Sequence, residues 1–147
     1  MNLSAPIITG DNGQKLLGIA RIVMGIAFVW YGFSKLYFIK GTIAFVSAKL
    51  PMGDLVFWFA MVVEAGGGLL LIVGYATRWV AAYYIFHCLF TGFVFHLVLD
   101  PSPLVAFPAR IQVDHFFANL VLAAGFLYVV VVGPGAWALD NSRSKTP

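Results

Sequence analysis

The chain has 147 residues, of which 61% are hydrophobic and 10% charged, whereas a soluble domain typically carries about 25% charged residues. Its net charge of +3 is not clustered, so the sequence gives no sign of a nucleic-acid-binding surface or a polybasic lipid-binding patch. A single cysteine, Cys88, excludes an internal disulfide and a CxxC redox pair. The composition therefore predicts an integral membrane protein with one domain.

Four apolar segments are long enough to cross a bilayer as helices, which takes about 20 residues each. They cover residues 16–37, 55–75, 79–99 and 114–132. Because unpaired strands cannot cross lipid, we expect an all-α membrane four-helix bundle. The predicted membrane domain runs over residues 16–140, between an N-terminal tail (1–15) and a C-terminal tail (141–147).

The connections between the spans differ in character. After span one, "FIKGTIAFVSAKLPMGD" has apolar residues that predict a short helix lying in the membrane interface. Only "ATR" separates spans two and three, which predicts antiparallel neighbours. The segment "DPSPLVAFPARIQV" contains three prolines and predicts an ordered loop near the membrane surface, and "GPG" ends span four.

Four spans place both termini on the same side of the membrane. Lysine and arginine residues are nearly balanced between the two sides, and Arg21 near the start of span one tips the balance toward the terminal side. The positive-inside rule then predicts a multi-pass protein of the cytoplasmic (inner) membrane, with both termini in the cytoplasm.

Polar residues inside the spans fall on single helical faces. In span one, small, aromatic and charged residues recur every three or four positions, namely Gly18, Arg21, Gly25, Phe28, Gly32 and Lys35. The faces of the later spans carry Ala60, Glu64 and Gly68, then Tyr84, His87 and Thr91, and finally His115 and Asn119. Glycine stripes allow close helix approach in membranes, so we expect these faces to point toward protein.

Glu64 is the residue that most requires an explanation. At a rise of about 1.5 Å per residue it lies near the middle of the bilayer, with His87 roughly 12 Å and Arg21 roughly 8 Å from the terminal side. Intramembrane charges usually pair, so we predict an Arg21–Glu64 ion pair with His87 beside it. The pair could fix helix register, or it could exchange protons with a bound redox molecule, with His87 as a relay.

Aromatic residues cluster toward the far end of span one, at Trp30, Tyr31, Phe33 and Tyr37. They could form an interfacial belt, or with Phe28 they could line an apolar slot for the flat ring of a quinone. The candidate ligand-binding residues are therefore Phe28, Tyr31, Lys35 and Tyr84, and the candidate cofactor is a quinone.

A second polar group lies at the opposite membrane face, with His96 and Asp100 one turn apart and His115 at a similar level. These side chains are suitable metal ligands, but no metal-binding motif accompanies them, so interfacial polar residues are the favoured interpretation. A bis-histidine haem is not favoured either, because His87 and His96 lie nine residues apart, on opposite sides of one helix.

Three segments carry a family resemblance: "LLGIARIVMGIAFVWYGFSKL", "VVEAGGGLLLIVGYATRWVA" and "NLVLAAGFLYVVVVGPGAWALD". With "TIAFVSAKLPMGD", they resemble the DoxX family of small four-helix membrane proteins over most of the chain. The resemblance implies a bundle in the cytoplasmic membrane, linked to redox metabolism. Relatives include a subunit of a thiosulfate:quinone oxidoreductase and proteins that bring redox or detoxification partners to the membrane. Arg21, Lys35 and Glu64 match polar positions of the family, whereas the paired cysteines of thiol-active branches are missing here.

The functional hypothesis is a membrane subunit of a quinone-linked redox system, with a small sulfur compound such as thiosulfate as a candidate substrate. Arg21, Glu64 and His87 would form its buried site for proton handling or headgroup binding. The alternative is a non-catalytic scaffold that docks a redox or detoxification partner, and a small-solute transporter is weaker because no inverted repeat is detectable. Expected partners are lipid and a protein subunit or a second copy of the chain. Whether the chain is itself catalytic is left open.

Overall fold

The computed structural model describes residues 10–97 and 107–143. These residues form helices and no strand, which confirms the predicted all-α class. Four helical stretches within the described residues are long and apolar enough to cross a membrane, and they are Asp11–Ser47, Gly53–Val73, Thr77–His96 and Ile111–Val132. The predicted four spans are therefore confirmed.

The first half of the chain forms three α-helices. The first, α1 (Asp11–Ser34), continues through a 3₁₀ turn (Lys35–Phe38) into α2 (Ile39–Ser47), and α3 (Gly53–Val73) follows. The helix α1 begins inside the segment predicted as a tail, and Asp11 in its first turn interacts favourably with the helix dipole. The helix α2 has no fully buried residue and packs against α3, and it is the short helix predicted between spans one and two.

The second half contains the remaining helices. The helix α4 (Thr77–Thr91) continues as a π-helical turn (Gly92–His96), and α5 (Phe107–Val132) and α6 (Leu139–Arg143) follow. The helix α5 begins seven residues before the predicted span, within the segment predicted as a loop. A proline is tolerated in its first turn, because the N–H that proline lacks has no helical partner there. Residues 98–106, which hold Asp100 and half of that segment, lie outside the described residues.

The helices pack mainly in two antiparallel pairs, α1 with α3 and α4 with α5. Glycines allow the helices of the first pair to pack closely. A Cβ atom added to Gly68 would lie 2.7 Å from the carbonyl oxygen of Gly25 and 2.7 Å from the amide nitrogen of Val29. The two backbones are thus in direct contact. This contact is the close approach that the glycine faces of spans one and two predict.

An aromatic cluster joins the two helix pairs. Phe28 of α1, Tyr84 of α4 and Phe126 of α5 are all almost fully buried. Their ring centroids lie 4.1 Å apart for Phe28 and Tyr84, and 5.0 Å apart for Tyr84 and Phe126. Buried aromatic pairs stabilise a core beyond the apolar area they cover. The cluster therefore holds α4 and α5 against α1, next to the candidate site.

Gly68→Ala is expected to lower the free energy of unfolding by about 1–3 kcal/mol, because the added methyl group would overlap the backbone of α1. Gly66→Ala is the matched control, since a Cβ atom there would meet nothing within 4 Å. Alanine favours the helix, so the control should be neutral or slightly stabilising. Thermal unfolding of both variants in one detergent makes the comparison. Equal melting temperatures would contradict the backbone contact.

Candidate functional site

Glu64 lies at the meeting point of three elements. Its side chain projects from α3 and is 8% exposed. One carboxylate oxygen, Oε2, accepts a hydrogen bond from the Nζ atom of Lys35, in the 3₁₀ turn after α1. The other, Oε1, lies 3.0 Å from Nε2 of His87 on α4. A buried carboxylate is therefore paired with an ammonium group and an imidazole, as a charge inside a membrane requires.

The predicted ion pair between Arg21 and Glu64 is wrong, and the helix register explains why. The helices α1 and α3 run antiparallel with Gly25 against Gly68. Arg21 precedes Gly25 by one turn and so lies level with the end of α3, whereas Glu64 lies about two turns, or about 10 Å, away along that helix. The residues that recur every three or four positions from Gly18 to Lys35 form one stripe, the α1 stripe. Lys35, at the far end of this stripe from Arg21, reaches Glu64 instead.

Arg21 holds together two chain segments at the other end of the α1–α3 pair. It is 1% exposed, and its guanidinium group donates hydrogen bonds to main-chain carbonyl oxygens, those of Leu71, Ile72, Pro134 and Ala136. The first two belong to the last turn of α3, where carbonyls lack partners within the helix. The other two follow α5. Arg21 thus fastens the chain after α5 onto the end of α3.

Asp140 completes this end of the bundle. Its two carboxylate oxygens accept hydrogen bonds from the N–H groups of Ala76 and Thr77, each at 2.8 Å. These N–H groups open α4, where a negative charge is favourable. Asp140 also acts electrostatically on Arg21. The carboxylate that balances Arg21 is therefore Asp140 rather than Glu64, and sequence reasoning missed it, although Asp140 closes the motif that begins at "GPG".

A cavity of about 300 Å³ opens beside Glu64. This volume lies at the lower end of the range for small-molecule sites, about 300–1,000 Å³. Five of the predicted site residues line it, namely Phe28, Tyr31, Lys35, Glu64 and His87. The remaining lining is largely apolar and includes Phe45, Val46 and Leu122. The cavity extends to the surface, because Tyr31 and Phe45 are 44% and 39% exposed.

The other two predicted site residues do not line this cavity. Arg21 lies at the far end of the bundle, as described above. Tyr84 packs against Phe28 and donates a hydrogen bond of 2.8 Å from its hydroxyl group to the main-chain carbonyl of Glu64. Its ring also lies 6.2 Å from that of His87 between centroids, so Tyr84 supports the site from behind through Phe28, His87 and the backbone of α3.

A second polar group lines the cavity, formed by Thr91 and Asn119. The hydroxyl group of Thr91 donates to Oδ1 of Asn119 at 2.9 Å, which joins α4 to α5. Nδ2 of Asn119 donates to the main-chain carbonyl of His115 at 2.8 Å. Thr91 and Asn119 lie on the polar faces predicted from the sequence, but their contact depends on the register of α4 and α5. They add polar groups to a lining that is otherwise largely apolar.

The predicted metal set is only partly described by the structure. His96 and His115 both line the cavity, and their rings are in contact. Asp100 lies outside the described residues. Within the described part of the chain, no group of three or more His, Cys, Asp or Glu side chains is placed to hold a metal ion.

The cluster can act chemically in two ways. A lysine ammonium group has three donors, and among the described residues those of Lys35 bond the carbonyl of Tyr31 at 3.2 Å and the carboxylate of Glu64. A third donor is left for a ligand in the cavity. Glu64 and His87 share a hydrogen bond, and both groups can hold or release a proton. The site therefore combines a hydrogen-bond donor with a proton-exchanging pair.

Lys35 and Glu64 are expected to be energetically coupled. Glu64→Gln leaves the partly buried ammonium group of Lys35 without its carboxylate, and we expect a loss of up to about 3 kcal/mol in the free energy of unfolding. This is the lower end of the range for broken buried pairs, because the Lys35 side chain is 24% exposed. Adding Lys35→Met to Glu64→Gln should lower stability by less than the sum of the single changes, measured by unfolding in one detergent.

The control for this cycle pairs Arg21→Met with Glu64→Gln. Because the two residues lie about 10 Å apart along the bundle and share no described partner, their effects should add. Coupling between Arg21 and Glu64, with additivity between Lys35 and Glu64, would contradict the register described above.

Comparisons with known proteins agree with this architecture. The family model described as DoxX matches residues 16–97. Inner membrane protein YphA of Escherichia coli (strain K12) is 34% identical over 127 residues, which cover 86% of this chain and 89% of YphA. Inner membrane protein YqjF of the same strain is 33% identical over 129 residues, or 86% of this chain and 91% of YqjF. No solved structure matches the chain.

Proposed function

This chain belongs to the DoxX family, and we propose that it is the membrane subunit of a quinone-linked redox system. The observation that carries the proposal is the cavity beside Glu64, in which an apolar lining meets the Lys35–Glu64–His87 cluster. A ligand site inside a membrane protein is expected to combine these features, because it must hold a largely apolar molecule and orient it with few polar groups.

The residues present fit the headgroup of a quinone, which is a flat ring with two carbonyl oxygens. Phe28 and Tyr31 form adjacent walls of the cavity, with their rings perpendicular at a centroid distance of 5.7 Å. The ammonium group of Lys35 is a donor that suits a carbonyl oxygen. When bound, a quinone would supply an acceptor for two electrons and two protons.

Each polar residue of the cluster then has a distinct task. Lys35 holds and orients a carbonyl oxygen of the ring through its remaining N–H donor. Glu64 and His87 hold a proton between Oε1 and Nε2, within reach of the same space. Lys35 stays beside the carboxylate and stabilises its charged form when the proton leaves the Glu64–His87 pair.

The electrons come from a partner in this proposal. Cys88 is the only cysteine of the chain, so a thiol pair within one chain cannot supply them. We propose a protein partner that oxidises a small sulfur compound, with thiosulfate as the candidate substrate: two thiosulfate ions join through a new S–S bond and release two electrons. Both termini would face the cytoplasm, in line with the lysine and arginine distribution.

The alternative function is a non-catalytic membrane scaffold, and the packing of α5 favours it. Only 17% of this span is buried within the chain, against 28% for each of the other three. The exposed face carries large side chains, among them Phe117, Tyr128 and Val131. Such a face could receive a transmembrane partner, and the cavity would then have no ligand to bind.

Lys35→Met and Glu64→Gln should each weaken quinone binding at least tenfold, because each removes a polar group that faces the ring. Decylubiquinone is titrated into the purified protein in a mild detergent, and native mass spectrometry measures the fraction of chains that retain it. Lys49→Met is the matched control, since this exposed lysine does not line the cavity, and it should leave binding unchanged.

Two results would decide against the quinone site. One is a wild-type chain that retains no quinone at any concentration, and the other is equal retention by the control and by both cavity variants. A chain that retains no quinone but is recovered with a stable protein partner would support the scaffold instead.

A further inference from the structure

Two histidines meet at the mouth of the cavity, away from the Glu64 cluster. His96 ends the π-helical turn after α4, and His115 lies near the start of the fourth span on α5. Their ring centroids are 5.2 Å apart and the ring planes are inclined at 37°. His115 is exposed, so its ring lies at the surface of the chain. The proposed quinone site assigns no role to either ring.

The ring of His96 is held in one orientation by two neighbours. Its Nδ1 atom donates a hydrogen bond of 2.6 Å to Oε1 of Gln112. The ring of Phe45 stacks against its face, at a centroid distance of 6.3 Å and an angle of 28°. With the proton on Nδ1, the Nε2 atom of the neutral ring carries a free lone pair. This arrangement is typical of metal-binding histidines, whose second nitrogen is usually fixed by a hydrogen bond.

The backbone around His96 departs from α-helical geometry. Residues Gly92–His96 form a π-helical turn, and such turns occur frequently at functional sites. One extra residue in the turn rotates the following side chains around the helix axis. Here the turn ends at the residue whose ring meets His115, so the local geometry serves the pairing of the two rings.

We propose that His96 and His115 bind a divalent first-row transition metal ion of the Zn²⁺ and Cu²⁺ class. With Zn–N bonds of about 2.0–2.1 Å and a tetrahedral angle, two bound imidazoles have centres about 5 Å apart, which matches the observed 5.2 Å. Imidazole nitrogens suit these metals well. Two protein ligands leave the remaining positions to water, so the ion would bind reversibly and stay accessible from the aqueous side.

The test uses the full-length chain purified without a polyhistidine tag and titrated with Cu²⁺ in a non-chelating buffer. We expect one ion per chain, and an electron paramagnetic resonance spectrum with coupling to two imidazole nitrogens. Zn²⁺ should displace the bound Cu²⁺. His96→Gln and His115→Gln should each weaken binding at least tenfold, and Gln112→Leu by about 10–100-fold, because it releases the ring of His96.

The third histidine of the chain supplies the control. His87→Gln removes an imidazole at the Glu64 cluster and should leave Cu²⁺ affinity unchanged. The proposal is overturned if the wild-type chain binds no Cu²⁺, if its spectrum shows a single coordinated nitrogen, or if His96→Gln binds as tightly as wild type. None of these readouts uses quinone, so the metal site and the quinone site can fail separately.

Discussion

The backbone contact between Gly25 and Gly68 sets the register on which the two buried charged residues of the described chain, Arg21 and Glu64, depend. A side chain at either position would push α1 and α3 apart. With the contact in place, the two ends of the α1 stripe fall at fixed levels of α3. Lys35 then reaches the carboxylate of Glu64, and Arg21 reaches main-chain carbonyl groups in the last turn of α3. This one steric constraint therefore places Lys35 at the cavity and Arg21 at the opposite end of the α1–α3 pair, where it has a structural role.

The two cations also suit their positions chemically. The guanidinium group of Arg21 offers five donors in a rigid plane, so one side chain can bond carbonyls from two separate segments. The ammonium group of Lys35 is compact and flexible, and it can bond Glu64 while keeping a donor for the cavity. Exchanging the two residues would leave carbonyls unbonded at one end of the bundle and crowd the cavity at the other. Arginine and lysine are therefore not equivalent on this stripe.

Much of the architecture follows from local patterns, which is why it could be predicted. The length of the apolar segments predicts the spans. The helical spacing of glycines and charged residues within each span, such as Gly25 and Lys35 in the first and Glu64 in the second, predicts the faces that point inward. The partner of Glu64 could not be read in the same way, because it depends on the register between helices that are distant in sequence. Depth counted from span ends placed Arg21 too close to Glu64, since α1 begins before the predicted span and the glycine contact, not the span ends, aligns the helices.

The same difference between local patterns and helix packing explains which cavity residues could be predicted from the sequence. Phe28, Tyr31 and Lys35 could be chosen as lining residues because they share a face near one end of α1. The opposite wall comes from α4 and α5, where the Thr91–Asn119 hydrogen bond and the contact between His96 and His115 arise only from packing. The cavity has a buried carboxylate, Glu64, at one end and the half-buried ring of His96 and the exposed ring of His115 at the other. Its two ends therefore differ in chemistry, and the two proposals follow that difference: a largely apolar ring is proposed beside Glu64, and a hydrated metal ion beside His96 and His115.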